Sequence, residues 1–383
     1  MDFLEMKRYW ILMLALLLVS CTPLLDRAER YVVQSDLPIS SQWQATIVGS
    51  PLMQPAITEV SVVVATKMAK LYGFDKESGQ VMWRRALKSG IATLLVPDGQ
   101  TVFYGDREHT IWRLDGKTGE VLWQYTFDMI SGDVDGIVIE DGILYAATAP
   151  EVQVVAIDLD SLEILWLQTK SLGYRGTDLF LNGDELIITT DAFRILDKRT
   201  GEIKRIVDVY QNGTIWNPYQ IYGGHLYGNN VVRDAETFSV VARLKSSTTM
   251  WLGDKCELFL PPYTFQKNMM YAAGRCGGLY ALDRNQRYQE VWRIYADEKT
   301  VTPFVFHHGI LYFLTTEGEL VGASAITGQE VGVLQTDRPI SNAASDGQKS
   351  YAGIVARQNL MVAYWNDPNI WMFRFEDSVY QQK

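Results

Sequence analysis

The chain has 383 residues, 47% of them hydrophobic and 12% aromatic, with a formal net charge of −10. That much apolar material excludes an intrinsically disordered chain and supplies a large core. No run of Lys or Arg forms a basic stripe, so nucleic acid is not an expected partner, and the excess of acid favours solubility.

In chain order the first element is a targeting segment. Lys7 and Arg8 precede an apolar stretch, Tyr9–Val19, followed by Ser20 and Cys21. A spanning helix needs about 20 apolar residues, so a basic start and a short apolar run read as a secretory signal. Leu18-Val19-Ser20-Cys21 resembles the bacterial lipobox. The resemblance implies cleavage before Cys21 and acyl chains on its sulfur and amine, enough for stable anchoring. The expected location is extracytoplasmic, on the outer membrane or the outer face of the cytoplasmic membrane.

After the segment 21–40, read as a tether, one pattern recurs: an apolar run usually ending in Asp, a polar turn, then a strand that often carries Trp. The clearest copies are Leu71–Trp83 and Ile111–Trp123. Aligned on Leu71, Ile111, Val154, Phe193, Asn230, Leu279, Leu320 and Ile370, the copies are spaced by 40, 43, 39, 37, 49, 41 and 50 residues. These spacings scatter around the length of a four-stranded propeller blade. The six runs before Leu320 end in Asp75, Asp115, Asp158, Asp197, Asp234 and Asp283. Asp opening and Gly closing a four-residue turn suit a hairpin. An earlier Asx-Gly or Gly-Gly turn, as at Asp98-Gly99, Asp141-Gly142 and Gly223-Gly224, adds a second hairpin to most repeats.

Trp recurs in the fourth strand at Trp83, Trp123, Trp166 and Trp292. Trp43 precedes the first full repeat in the same register, and Ile370–Phe375 ends the series as a third strand with no fourth after it. The two ends are therefore expected to complete one blade between them, closing the ring and removing its free edge. The expected fold is all-β, an eight-bladed propeller of four-stranded antiparallel blades over 41–376, with a tail at 377–383. The five tryptophans are expected to wedge between neighbouring blades with their N–H groups bonded to carbonyls.

The pattern apolar-Tyr/Trp-x-apolar-Asp followed by x-x-Thr/Ser-Gly-x-apolar-x-Trp resembles the repeat of pyrroloquinoline quinone (PQQ) propellers. Two subfamilies share that repeat: quinoprotein dehydrogenases that bind PQQ and calcium, and cofactor-free lipoproteins similar to BamB of the outer-membrane β-barrel assembly machine. The lipobox, the single propeller and the absence of a vicinal Cys-Cys pair favour the second. The resemblance thus implies a non-catalytic, membrane-anchored scaffold with another envelope protein as partner and no cofactor. The alternative is a small PQQ- and calcium-dependent dehydrogenase.

Other candidates are few. Cys256 and Cys276 straddle a hairpin turn near Gln266–Asn268 and are expected to form a structural disulfide. Asp133 and Asp135 flank Val134 at the head of an inner strand, but two carboxylates fall short of a calcium site. His109, His225, His307 and His308 sit in turns with no nucleophile pattern beside them. Trp216, Tyr219 and Trp251, in the connections of blades five and six, form either a partner-binding rim or ordinary inter-blade packing.

Overall fold

Runs rich in Val, Ile, Leu and Tyr, bounded by Gly and Asx turns, give 32 strands in eight four-stranded sheets among the described residues. The computed structural model describes residues 37–129, 131–169, 172, 178–208, 219–228, 230–244, 259–274, 278–295, 304–315, 318–335, 353–364 and 368–376. Each sheet is an antiparallel meander, with strands A to D running outward from the ring axis. Blade one comprises Ala56–Ile57, Ser61–Thr66, Lys70–Asp75 and Val81–Ala86. Blade three is Asp133–Glu140, Ile143–Ala149, Val154–Asp158 and Ile164–Gln168, and blade six is Phe259–Gln266, Met269–Gly274, Leu279–Asp283 and Gln289–Ile294. A strands of successive blades touch one another around the axis.

Blade eight draws on both ends of the chain, as the spare Trp strand requires. Gly353–Arg357, Leu360–Tyr364 and Asn369–Phe375 supply strands A to C, and Ile39–Thr46 supplies strand D. The closing register runs from Thr46 opposite Asn369 to Ile39 opposite Phe375. Arg374, which stands where most repeats have Asp, binds Glu77 in the turn of blade one at 2.8 Å. The ring is thereby pinned across its seam.

The B and C strands are buried on both faces; every residue of Ser61–Thr66 is buried. Their side chains interdigitate with the next blade. Trp43, Met372 and Leu360 of blade eight pack with Val62, Tyr72 and Phe74 of blade one in a single cluster. The core is therefore a circle of inter-blade seams.

The C–D turns of blades one to six are built around their Asp. In blade two the Asp115 carboxylate accepts the N–H groups of Lys117 (2.8 Å) and Thr118 (2.7 Å), and Gly119 closes the turn at φ 71°. These N–H donors hold the carboxyls of Asp158, Asp197 and Asp234 below the ordinary carboxylate range. The meander order puts all A–B and C–D turns on one rim and all B–C and D–A connections on the other.

Candidate functional site

At four blade junctions the indole of strand D crosses to the C–D turn of the next blade. Trp43 Nε1 donates to the carbonyl of Lys76 (3.0 Å), Trp83 to Gly116 (2.9 Å), Trp166 to Lys198 (3.0 Å) and Trp292 to Ala325 (3.2 Å). The ring lies over the turn glycine; a Cβ added at Gly119 would come within 2.5 Å of Trp83. Glycine is thus required twice there, by positive φ and by the indole on top of it.

The remaining junctions depart from this arrangement. Trp123 meets a turn whose glycine position holds Leu162 (φ 62°), and the indole is only half-buried, beside Tyr125. Between blades four and five Arg205 replaces the Trp and Phe238 replaces the glycine, with the guanidinium 5.2 Å from the Phe238 ring. Bulk has moved from one partner to the other. Between blades five and six the Trp position is Ala242, opposite Val232 in the same bulged register. Nothing large replaces it, and a cavity of about 340 Å³ lies there.

That cavity meets an altered turn. Asp283 pairs with Gln289, so five residues separate them, against four between Asp75 and its partner Gln80. The extra residue forms a 3-10 turn at Arg284–Gln286, after which Arg287 (φ 55°) and Tyr288 (φ 62°) are left-handed where four other blades use glycine. Arg284 is fixed under this turn. Its Nε donates to Tyr227 Oη (3.0 Å), its Nη1 donates to the Lys267 carbonyl (3.3 Å), and its guanidinium lies 4.9 Å from the Tyr222 ring. Burial pushes the Tyr227 hydroxyl well above the ordinary phenol range, so it remains a neutral partner.

A second surface feature lies on the outer wall. Strand D is the edge of each sheet, with one flank of its backbone unpaired. From blade two to blade six these strands or their turns expose large apolar side chains: Leu122 at 50%, Leu165 at 49%, Ile206 at 53%, Val241 at 52% and Val291 at 54%. Blade three carries the most, adding Ile164 and Leu167. Exposed apolar side chains beside an open strand edge make this wall a candidate interaction surface.

Of the residues singled out from sequence, Cys21, Trp216, Trp251, Cys256 and Cys276 lie outside the described residues. Tyr219 does not present itself on a rim. It is 8% exposed and packs edge-on against Phe180 and Phe193, because Gly228 leaves room for its ring. His307 stacks on Phe375 at 3.8 Å, and His225 lines the blade five–six cavity. Asp133 has its carboxyl raised, first by burial, then by Asp135 and Asp106, against the opposing pull of Arg107. Its neighbour Asp106 is fully engaged by Ser89, Trp112 and the N–H groups of Glu108 and Thr110. Among the described residues no three His, Cys, Asp or Glu side chains converge as metal ligands.

The sheets, the Asp-built turns and the Trp crossings together define an eight-bladed β-propeller made of PQQ-type repeats. Part of the chain is similar to BamB: residues 39–130 match the PQQ-repeat family described as outer membrane protein assembly factor BamB. BamB of Yersinia pestis is 24% identical over 223 residues, 51% of this chain and 52% of the relative. The match thus spans about half the length of that curated protein. The crystal structure of BamB from Moraxella catarrhalis superposes with a TM-score of 0.62 at 14% identity, covering 88% of this chain and 100% of that one. The computationally designed Ika8 protein gives 0.65 at 13% identity, over 86% of this chain and 98% of that one. A quinohaemoprotein alcohol dehydrogenase from Pseudomonas putida gives 0.62 at 11% identity, over 94% and 80%. At these identities the solved structures share the fold alone.

Proposed function

We propose that this chain is a non-catalytic scaffold of envelope protein assembly, held at a membrane by lipid on Cys21 and docking another assembly protein. The observation that carries the reading is the exposed apolar outer wall of blades two to six, on strands whose backbone edge is open. The similarity to BamB supports the envelope setting and the kind of partner, a component of a β-barrel assembly machine. The lipobox supports the anchor.

The test is affinity capture from solubilised membranes with the parent chain and with Leu122→Asp/Leu165→Asp. The parent is expected to retain a β-barrel assembly component, and the variant, still folded, to lose it. Equal capture by both would remove the outer wall from the account. Cys21→Ala is expected to move the protein from the membrane to the soluble fraction. Adding PQQ and calcium to purified protein is expected to produce no bound-quinone absorbance; its appearance would overturn the non-catalytic reading.

A further inference from the structure

The cavity between blades five and six is an oxyanion site, we propose, shaped for a phosphoryl group. The space exists because Ala242 stands where five other junctions place an indole, and the volume of about 340 Å³ is that of a small-ligand site. Lys267, Arg284 and Arg287 line it, with His225 beside them, and no carboxylate is among its lining residues. This is a local inversion of charge in a chain with 45 acidic and 35 basic residues.

The cations are disposed for an external anion. None of Lys267, Arg284 and Arg287 forms an ion pair among the described residues. The nearby carboxylates are engaged by their own turns: Asp283 accepts from Asn285, Asn268 and Gln286, and Asp234 accepts from Glu236 and Thr237. Arg284 is pre-aimed by Tyr227 and by the ring pair Tyr222–Phe265, stacked 4.2 Å apart. Gly223 makes room for it, since a Cβ there would lie 2.9 Å from Nη2. Fixed guanidinium donors match phosphate oxygens, and several cations around one cavity favour a multiply charged group. Asn268 and Asn285 add amide groups to the same wall. The site stands on the A–B and C–D rim and meets the outer wall at Val241, which neither variant pair below alters.

A free phosphate compound and a phospholipid headgroup share this chemistry, and two measurements separate them. The chain carrying Cys21→Ala is titrated calorimetrically with inorganic phosphate, and its flotation with phosphatidylglycerol vesicles is compared with flotation on phosphatidylcholine. Lys267→Gln/Arg287→Gln removes two exposed cations without touching the core. Lys117→Gln/Arg199→Gln removes the same charge from other C–D turns of the same rim. Saturable phosphate binding, weakened about tenfold or more by the first pair and unchanged by the second, is the expected result. Binding to phosphatidylglycerol alone with the same variant pattern assigns the site to a headgroup. No binding in either measurement, or equal effects of the two variant pairs, overturns the proposal.

Discussion

A tryptophan on an outer strand stabilises its junction in two ways. It buries a large ring over a glycine turn, and it satisfies a carbonyl that the turn leaves unpaired. Trp83→Ala is expected to cost about 3–5 kcal/mol in urea unfolding. Trp123→Ala, at the junction where Leu162 displaces the indole, is expected to cost at most about 2 kcal/mol. The Arg205–Phe238 exchange makes a sharper prediction. Arg205→Trp or Phe238→Gly alone is destabilising, the first by crowding Phe238 and the second by emptying the seam. Combined, they rebuild the Trp-over-Gly contact, and a double-mutant cycle should show a favourable coupling of about 1 kcal/mol or more. The turn aspartates set the acid limit. Their folded carboxyls titrate below the unfolded value of about 3.9, so their contribution is intact above that pH and lost as pH falls through the lower folded values. Asp197→Ala is therefore expected to flatten the fall of the unfolding midpoint as pH drops below about 4.

At the scale of strands and turns, the repeat was readable because the features that make it are local. Asp and Gly act within one turn, and apolar runs declare the buried B and C strands. The displaced blade-eight strand was readable because Trp43 keeps register with its counterparts. The cavity was not, since it depends on a small residue in one blade and an inserted residue in the next. A trace does exist: Asp283 to Trp292 is nine residues, where Asp75 to Trp83, Asp115 to Trp123 and Asp158 to Trp166 are each eight. Tyr219 was left between two readings because an aromatic beside a connection looks the same whether it faces solvent or a neighbouring blade; the space above Gly228 decides for packing. The apolar outer wall also left a trace, in Val121-Leu122 and Ile164-Leu165 beside their tryptophans. For the cysteines, strands A and B of blade six pair Phe259 with Gly274, three residues after Cys256 and two before Cys276. A disulfide between them is expected, read as a 2 Da gain on reduction of the linked peptides; no gain would show two free thiols.

Across the whole molecule, stability is shared around a ring of eight seams, but its closure is singular. One strand of eight residues, Ile39–Thr46, joins the ends. Removing it would uncover the edge of Asn369–Phe375 and the face that Trp43 covers. A chain lacking residues up to 47 is expected to self-associate in light scattering and to unfold at lower urea with a shallower slope. Moving that strand to the C-terminus through a short linker should restore both, because closure depends on which strands pair and not on which end supplies them.

The same seam sets an order in time. Thr46 bonds Asn369 across 323 residues, so a strand among the first to be made must wait for one of the last. Loop closure over such a length is a late event in folding. Until then the blades can only stack into an open arc. A chain interrupted in synthesis or clipped before closure cannot complete the ring, and its unmatched strand stays exposed to proteolysis. The join between the two ends therefore works as a test of completeness, passed only by a chain delivered whole.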